Sequence, residues 1–400
     1  MRRIGRHRRG KQKKILIIGT LSLLLFLCAG YAAFSTNLGI TAKGNIKEKS
    51  RVIQAWDANS GTDFHSDFYR QHVVSATFLD NNNIPSNATE SWNVSEDKEN
   101  GAVMAWVVPN NNDNTKYDLY IGAPAGVIAN EDSSYLFYDI PSLRTIDLNN
   151  NFDTKNSKKM NNMFASYYEG STLEHREGSL TNIYGLDSLD TSNVESMRAM
   201  FRYTSHLSEI DLSKFKTSNV VDMFAMFELS GVKKLDLSSF DTRNVINMGW
   251  MFSMCNSLTE LNVSTFNTSK VTQMDGMFAA LKVNKIDLSH FDTSNVINMS
   301  YMFGSSSSSN LALVSEITGL EHWNTSKVTN MSSMFKYMKN LTTLNLCGWN
   351  TSKVTNMRQM FDNSSSLQHI YVGNAWETDQ ADTTYMFSGS GVSSVTTGQC

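Results

Sequence analysis

Few residues of this chain fall at spacings that chemistry requires. His290 and His322 each precede an aromatic residue in consecutive copies of a repeated unit. That places them one strand spacing apart, roughly 4.8 Å. Two imidazoles without a third ligand make a poor zinc site, so they are expected to be solvated edge residues. Threonine recurs in register at Thr154, Thr191, Thr217, Thr242, Thr268, Thr293, Thr325 and Thr351. No His or Asp keeps a fixed offset from these hydroxyls that would activate one as a nucleophile, so they read as helix caps. The sequence contains no Gly-rich phosphate loop, C-x-x-C, H-E-x-x-H or nucleophile elbow, and no Gly-Gly-x-Gly-x-Asp calcium repeat. No catalytic residue, cofactor or metal site is expected, and the chain reads as a non-enzyme.

A different pattern points to binding. Glu209, Lys234, Glu260 and Lys285 hold one place in four successive copies, and Asp211, Asp236, Asn262 and Asp287 hold the place two residues later. On parallel strands the first row forms an alternating charge ladder, each pair worth about 0.2–1 kcal/mol. The second row is mostly acidic and would gain from lysines, a cation or a basic partner. These eight residues are the candidate ligand-facing strip, weighed against the plainer reading of a solvated sheet face.

The elements that position the strip come from a repeat. Met-Phe recurs at Phe164, Phe201, Phe227, Phe252, Phe278, Phe303, Phe335, Phe361 and Phe387, mostly 25–26 residues apart, with insertions near 169–180 and 304–314. Such a period is the mark of a solenoid, in which each unit buries its apolar face only against its neighbours. In the unit 341–366, Leu341, Leu344 and Leu346 form an L-x-x-L-x-L frame with a short strand, and Trp349 takes the next inward place. Val354, Met357, Met360 and Phe361 follow at three- and four-residue spacing, which predicts a short helix. Seventeen of the 21 methionines lie on this frame, so the Met and aromatic stripe reads as core. The expected fold is an α/β solenoid, a leucine-rich-repeat-like parallel stack of short strands and short helices in about nine repeats, with a small α+β amino-terminal cap.

The strings LDLSSFDTRNVINMGWMF (235–252), IDLSHFDTSNVINMSYMF (286–303) and WNTSKVTNMSSMF (323–335) resemble the repeats of BspA-like leucine-rich-repeat surface proteins of bacteria. The resemblance covers about residues 143–387 and extends to AAFSTNLGITAKGN (32–45), which is similar to their export region. It implies an extracellular, adhesion-type binding protein without enzymatic activity. The chain departs from the pattern in showing no carboxyl-terminal wall-sorting motif or apolar tail.

Charge is unevenly spread. Residues 1–14 carry eight of the 35 basic residues and no acid, and 15–32 carry no charge. From residue 33 onward 27 basic residues stand against 38 acidic ones, a net −11. An acidic body argues against nucleic acid. The basic start, the apolar run and the small residues Ala29, Gly30 and Ala32 form an export signal. It is either cut after Ala32 or retained as a membrane anchor spanning about 15–33. The expected organisation is signal peptide or anchor 1–32, linker 33–50, α+β cap 51–141, solenoid 142–391 and tail 392–400. Within the cap, Val73–Leu79, 102–108 and 117–121 read as strands and Asp67–His72 as a helical turn.

These readings predict a cell-surface or secreted protein that mediates adhesion or protein–protein interaction. Its partner would be a host or extracellular-matrix protein or another surface protein, with membrane contact only through the amino-terminal segment. The alternative is a structural protein of a matrix or cell coat. Cys255 and Cys347 lie four copies apart, roughly 19 Å, too far for a disulfide, and Cys400 is expected to stay free.

Overall fold

A computed structural model describes residues 38–40, 46–166 and 178–400. The expected export segment lies outside the described residues; among those described, no helix is long and apolar enough to cross a membrane.

Leu38–Ile40 (β1) and Ile46–Glu48 (β2) pair antiparallel. The Ser66 side chain accepts a hydrogen bond from the Tyr69 amide and opens the helix Asp67–His72 (α1), supplying a partner to an amide the first turn leaves orphaned. Val73–Leu79 (β3) follows directly, with Val73, Ala76 and Phe78 buried. Glu90–Asn93 (β4), Met104–Pro109 (β5) and Tyr117–Gly122 (β6) form an antiparallel meander whose last strand lies parallel to β3. Val127–Ile128 (β7), Thr145–Asp147 (β8), Phe152–Asp153 (β9) and Asn182–Tyr184 (β10) come next. β7 pairs with β9, and β8 and β10 extend the sheet beyond β3 in the order β10-β8-β3-β6-β5-β4. Since β8 and β10 occupy the strand places of the first two repeats, the sheet of the cap runs unbroken into the repeats.

The cap also grips the first turn of the stack. The buried His65 ring sets Nδ1 2.8 Å from Asp63 Oδ1 and Nε2 3.0 Å from the Leu136 carbonyl oxygen. Asp63 Oδ2 accepts from Trp56 Nε1 at 2.9 Å and from Gln54 Nε2 at 2.8 Å. Burial pushes the Asp63 carboxyl up, but its hydrogen bonds and the His65 charge outweigh that and hold it below the usual range.

The remaining strands are Lys234–Asp236 (β11), Glu260–Asn262 (β12), Lys285–Asp287 (β13), Glu316–Thr318 (β14), Thr343–Leu346 (β15), His369–Val372 (β16) and Thr396–Thr397 (β17). They pair in parallel as β11-β12, β13-β14 and β15-β16-β17. Short strands in small parallel and mixed sheets make up this part of the protein, and helices are few.

The short helix expected in each repeat is not there. Among the described residues the one α-helix is α1, and two single 3-10 turns lie at Leu186–Ser188 and Leu320–His322. The Val-x-x-Met-x-x-Met-Phe segments are instead tight turns. Ala199, Ala225, Trp250, Tyr301, Ser333, Gln359 and Tyr385, each one residue before the second Met, sit at φ between 53° and 59°, and Gly276 at 60°. A left-handed residue in every copy ends helical propagation, and segments this short are poor helices alone. Two sets of backbone hydrogen bonds replace the helix. In one turn the amides of Met200 and Arg202 close on the carbonyls of Met197 and Ala199, three residues back. The amides of Met197, Ala199, Phe201 and Tyr203 donate forward to Asp222, Phe224, Met226 and Glu228 of the next repeat, at 2.8–3.0 Å. Alternate donors thus reach the neighbouring repeat, and the segments stack as a turn wall opposite the strands.

The threonine row clasps the same stack. These residues are not the helix caps that their spacing suggests, because there is no helix to cap. Thr268 Oγ1 donates to the Asp292 carbonyl at 2.9 Å and accepts from the Asp292 amide at 2.8 Å. Thr217, Thr242, Thr325 and Thr351 each hold both backbone groups of one residue in the next repeat in the same way, as does Thr191 on Lys216. Behind them the Met-Phe rings form a continuous column from Phe137 to Phe387, neighbouring centroids 5.4–6.1 Å apart and rings within 15° of parallel. Phe137 belongs to a tenth turn, which lacks the Met-Phe pair and so stands outside the repeat pattern.

Cys255 is free and buried, its thiol donating to the Phe227 carbonyl, and burial pushes it up to about 12. Cys347 is not joined to it, as expected. Cys400, expected to stay free, is instead disulfide-bonded to Cys347, with Cα atoms 5.6 Å apart. The tail folds back to add β17 beside β16, which brings residues 53 positions apart into reach.

The clasp yields a test. Thr268→Val keeps the shape of the side chain and removes both bonds to Asp292. Urea unfolding should show a loss of about 1–3 kcal/mol, the cost of leaving partly buried backbone groups unpaired, whereas Ser269→Ala, at the half-buried neighbouring place whose hydroxyl bonds only the Asn267 side chain, should change little.

Candidate functional site

The eight strip residues lie where the strands put them, and all eight side chains are exposed. Leu235 and Ile286 between them are buried while Lys234, Asp236, Lys285 and Asp287 point out, the two-residue alternation of a strand with one face on a core. Lys234 and Glu260 are directly opposite in the β11-β12 register, with Nζ 2.8 Å from Oε1. Asp236 lies opposite Asn262 in the same pair.

The ladder does not run evenly. β12 and β13 share no hydrogen-bonded register among the described residues, so Glu260 and Lys285 are not a pair. Lys285 pairs forward instead, with Glu316 opposite it on β14. The repeat frame misses Glu316 because the 304–314 insertion displaces it from the 25–26-residue period; the Glu-Ile-Thr pattern of 316–318 is the available signal. Glu209 and Asp211 lie on a segment that forms no regular strand and line a shallow recess with Asn182, Tyr184 and Leu207.

The acidic row is built by turn chemistry. Asp211 Oδ1 accepts from the Ser213 amide at 2.9 Å, and Asp236, Asn262 and Asp287 each accept from the amide two residues on, at 3.0 Å. Such Asx turns need a side-chain oxygen and not a charge, which explains why Asn262 and Asn345 fill the same place. The bonds also settle the repulsion. Asp236 is held below the usual carboxylate range by its hydrogen bonds to Ser238, which outweigh the opposing push from Asp211. Asp211 is lowered chiefly by the Ser213 amide and Asp287 by the Ser289 amide. The row is thus negative at neutral pH without a lysine salt bridge to hold it.

The histidine pair gains no ligand character. His290 Nε2 lies 2.7 Å from the Val263 carbonyl oxygen, and His322 lies beside Glu321. Among the described residues no group of three or more His, Cys, Asp or Glu could hold a metal ion.

The turn wall carries a second set of side chains that the repeat pattern does not single out. The Arg198 guanidinium lies 3.9 Å over the Phe224 ring. Trp250 Nε1 donates to Asp275 Oδ2 at 2.7 Å, its indole lies against Gly276, and Tyr301 is 6.1 Å away. These residues occupy the two variable places of Met-x-x-Met, and their clustering on adjacent turns is the signal for them.

A family model described as "Mycoplasma protein of unknown function, DUF285" matches residues 131–231, 171–278, 230–316 and 312–395. No curated protein and no solved structure matches the chain.

Two outcomes follow from the strip. Lys234→Glu sets two acids opposite each other at Glu260; because both side chains are about two-thirds exposed, the loss should stay within about 0.2–1 kcal/mol and be recovered by added salt. Asp211, Asp236 and Asp287 have folded values below their unfolded ones. Their contribution to stability is therefore present above the unfolded aspartate value, near 3.9, and is lost as pH falls through the folded values. Melting temperature against pH should be flat above about pH 5 and drop below it, and Asp236→Asn, which keeps the Asx turn, should blunt that drop.

Proposed function

The chain belongs to the DUF285 family, and on that premise we propose that it is an exported, cell-surface solenoid of the BspA-like leucine-rich-repeat type, mediating adhesion or protein–protein interaction. The observation that carries this reading is the exposed strand face: side chains in register between β11 and β12 and between β13 and β14, with an acidic row whose charges are held by backbone amides. Leucine-rich solenoids use such extended faces for binding, and a fixed negative row suits a basic patch on a host, matrix or surface protein. Export is supported by the basic and apolar residues 1–32 and by the Cys347–Cys400 disulfide, since disulfides persist in oxidising compartments outside the cytoplasm. No enzymatic role is proposed.

Residues 33–400, purified and titrated against immobilised extracellular-matrix proteins, should bind at least one of them saturably and more weakly as salt rises. Asp236→Asn with Asp287→Asn should weaken that binding several-fold while leaving the melting temperature near its original value at neutral pH. Unchanged affinity in the double variant would move the site off the strand face, and absence of any saturable binding would favour a coat or matrix protein. Proteolysis of intact cells tests the location: a body that resists protease until lysis would contradict surface exposure.

A further inference from the structure

The outer face of the cap sheet carries a walled recess, and we infer that it binds a neutral saccharide unit, one ring of a glycan. Two-residue alternation divides β3, β5 and β6 between two faces. Ala76, Phe78, Ala105, Val107, Leu119 and Ile121 enter the core, while Leu79, Trp106, Val108, Asp118 and Tyr120 lie on the opposite face. A sheet with one face on a core commonly leaves the other solvated. Here Trp106, on that second face, is only 2% exposed.

Two fastened loops make the difference. The connection 80–89 crosses β6 so closely that a Cβ on Gly122 would lie 1.9 Å from the Asn81 carbonyl oxygen, so the crossing needs glycine there. Asn82 Nδ2 ties this loop to the Ala102 carbonyl, and the Thr89 amide ties it to the Val107 carbonyl, both at 2.9 Å. The second loop turns on Asn110, whose Oδ1 accepts from the amides of Asn112 and Asp113. Its Nδ2 donates to the two oxygens of Asp118 at 2.9 and 3.1 Å. Between the loops lies a recess of about 350 Å³, at the small end of the range for small-molecule sites. Pro85 and Pro109 stand in its walls and stiffen them.

The lining selects the ligand. Among the described residues no Lys, Arg or His lines the recess, so it offers an anion nothing. Its one charge, Asp118, already accepts from Ser75 Oγ at 2.5 Å and from Asn110, which leaves no bare carboxylate for a cation. Asn83, Asn87 and Asn111 stand exposed around the opening, and among the described residues their side-chain amides have no hydrogen-bond partner. Each such amide both donates and accepts, as every sugar hydroxyl does. The Tyr120 ring lies 5.9 Å from the Trp106 ring and within 18° of parallel, so the indole backs the phenol and fixes it. Burial and the Asp118 charge push the phenol up, so it enters as a neutral hydroxyl. With Leu79 and Val108 it gives an apolar surface for the C–H face of a pyranose, which suits the negative face of an aromatic ring. A flat ring with C–H groups on its face and hydroxyls at its edge meets both demands. The recess lies on the cap, apart from the charged strand face, and its binding does not depend on that face.

The probes are methyl glycosides of glucose, galactose, mannose and N-acetylglucosamine, titrated against isotope-labelled residues 33–400 while the Trp106 indole N–H resonance is followed. At least one should bind saturably with a millimolar Kd and shift that resonance while the Trp250 indole stays unmoved. Added salt should leave the affinity unchanged, since no charge pair is formed, and methyl glucuronide, which adds a carboxylate, should bind several-fold more weakly. Asn87→Ala with Asn111→Ala should weaken binding about tenfold, the loss of two hydrogen bonds, with the melting temperature unchanged because these side chains fasten nothing. Tyr120→Phe, which keeps the ring stack, should cost several-fold. No shift of Trp106 with any glycoside up to about 100 mM, or binding that the double variant and Tyr120→Phe both leave unchanged, would overturn the proposal. So would saturable binding of N-acetylprolinamide at Trp106 in place of the sugars, which would assign the recess to a peptide.

Discussion

A turn of this protein cannot satisfy its own backbone. Alternate amides in each Met-x-x-Met-Phe segment face along the stack axis, and their acceptors are carbonyls of the following repeat. An unpaired buried backbone group costs about as much as a lost hydrogen bond, so each copy is stable only with a neighbour in register. The threonine clasp reinforces this link between neighbours, because one hydroxyl donates to a carbonyl and accepts from an amide of a single residue one repeat away. Register then follows. With the clasp in place the phenylalanines come to 5.4–6.1 Å centroid spacing, and strand residues such as Lys234 and Glu260 become directly opposite. The charged face is a consequence of that alignment.

The same constraint explains the two ends of the stack. At the start, the cap supplies strands that continue the sheet and a buried histidine for the Leu136 carbonyl. At the finish, the tail supplies one more strand and fastens it by a disulfide. The cap and the tail thus meet the stack by different devices, a shared sheet and a disulfide-fastened strand.

Much of this is legible in the residues. β3 and α1 fall where the apolar pattern of 73–79 and the helical turn at 67–72 are expected, and the inward places of Leu344, Leu346 and Trp349 are buried. The expected helix fails because three- and four-residue spacing also describes a tight turn whose apolar side chains all face inward. The deciding feature, positive φ at Ala199, Trp250, Tyr301 and Gln359, is one these residue types seldom adopt, so no composition rule points to it. The row of Glu209, Lys234, Glu260 and Lys285 does lie on the exposed face. Its actual pairing depends on where strands lie in hydrogen-bonded register and on an insertion that hides Glu316. The bond of Cys400 is invisible in the sequence because distance along the chain says nothing of a tail that folds back.

Native-state hydrogen exchange, resolved residue by residue over 195–390, tests the central constraint most directly. If repeats satisfy one another's backbone, the amides of Ala199, Ala225, Trp250, Gly276, Tyr301, Ser333 and Gln359, which donate between repeats, are protected together and lost in one cooperative step with the strand wall. The equivalent amide of Tyr385, which has no acceptor among the described residues, should exchange rapidly. Turns that exchange independently of one another, or protection limited to bonds within each turn, would contradict it.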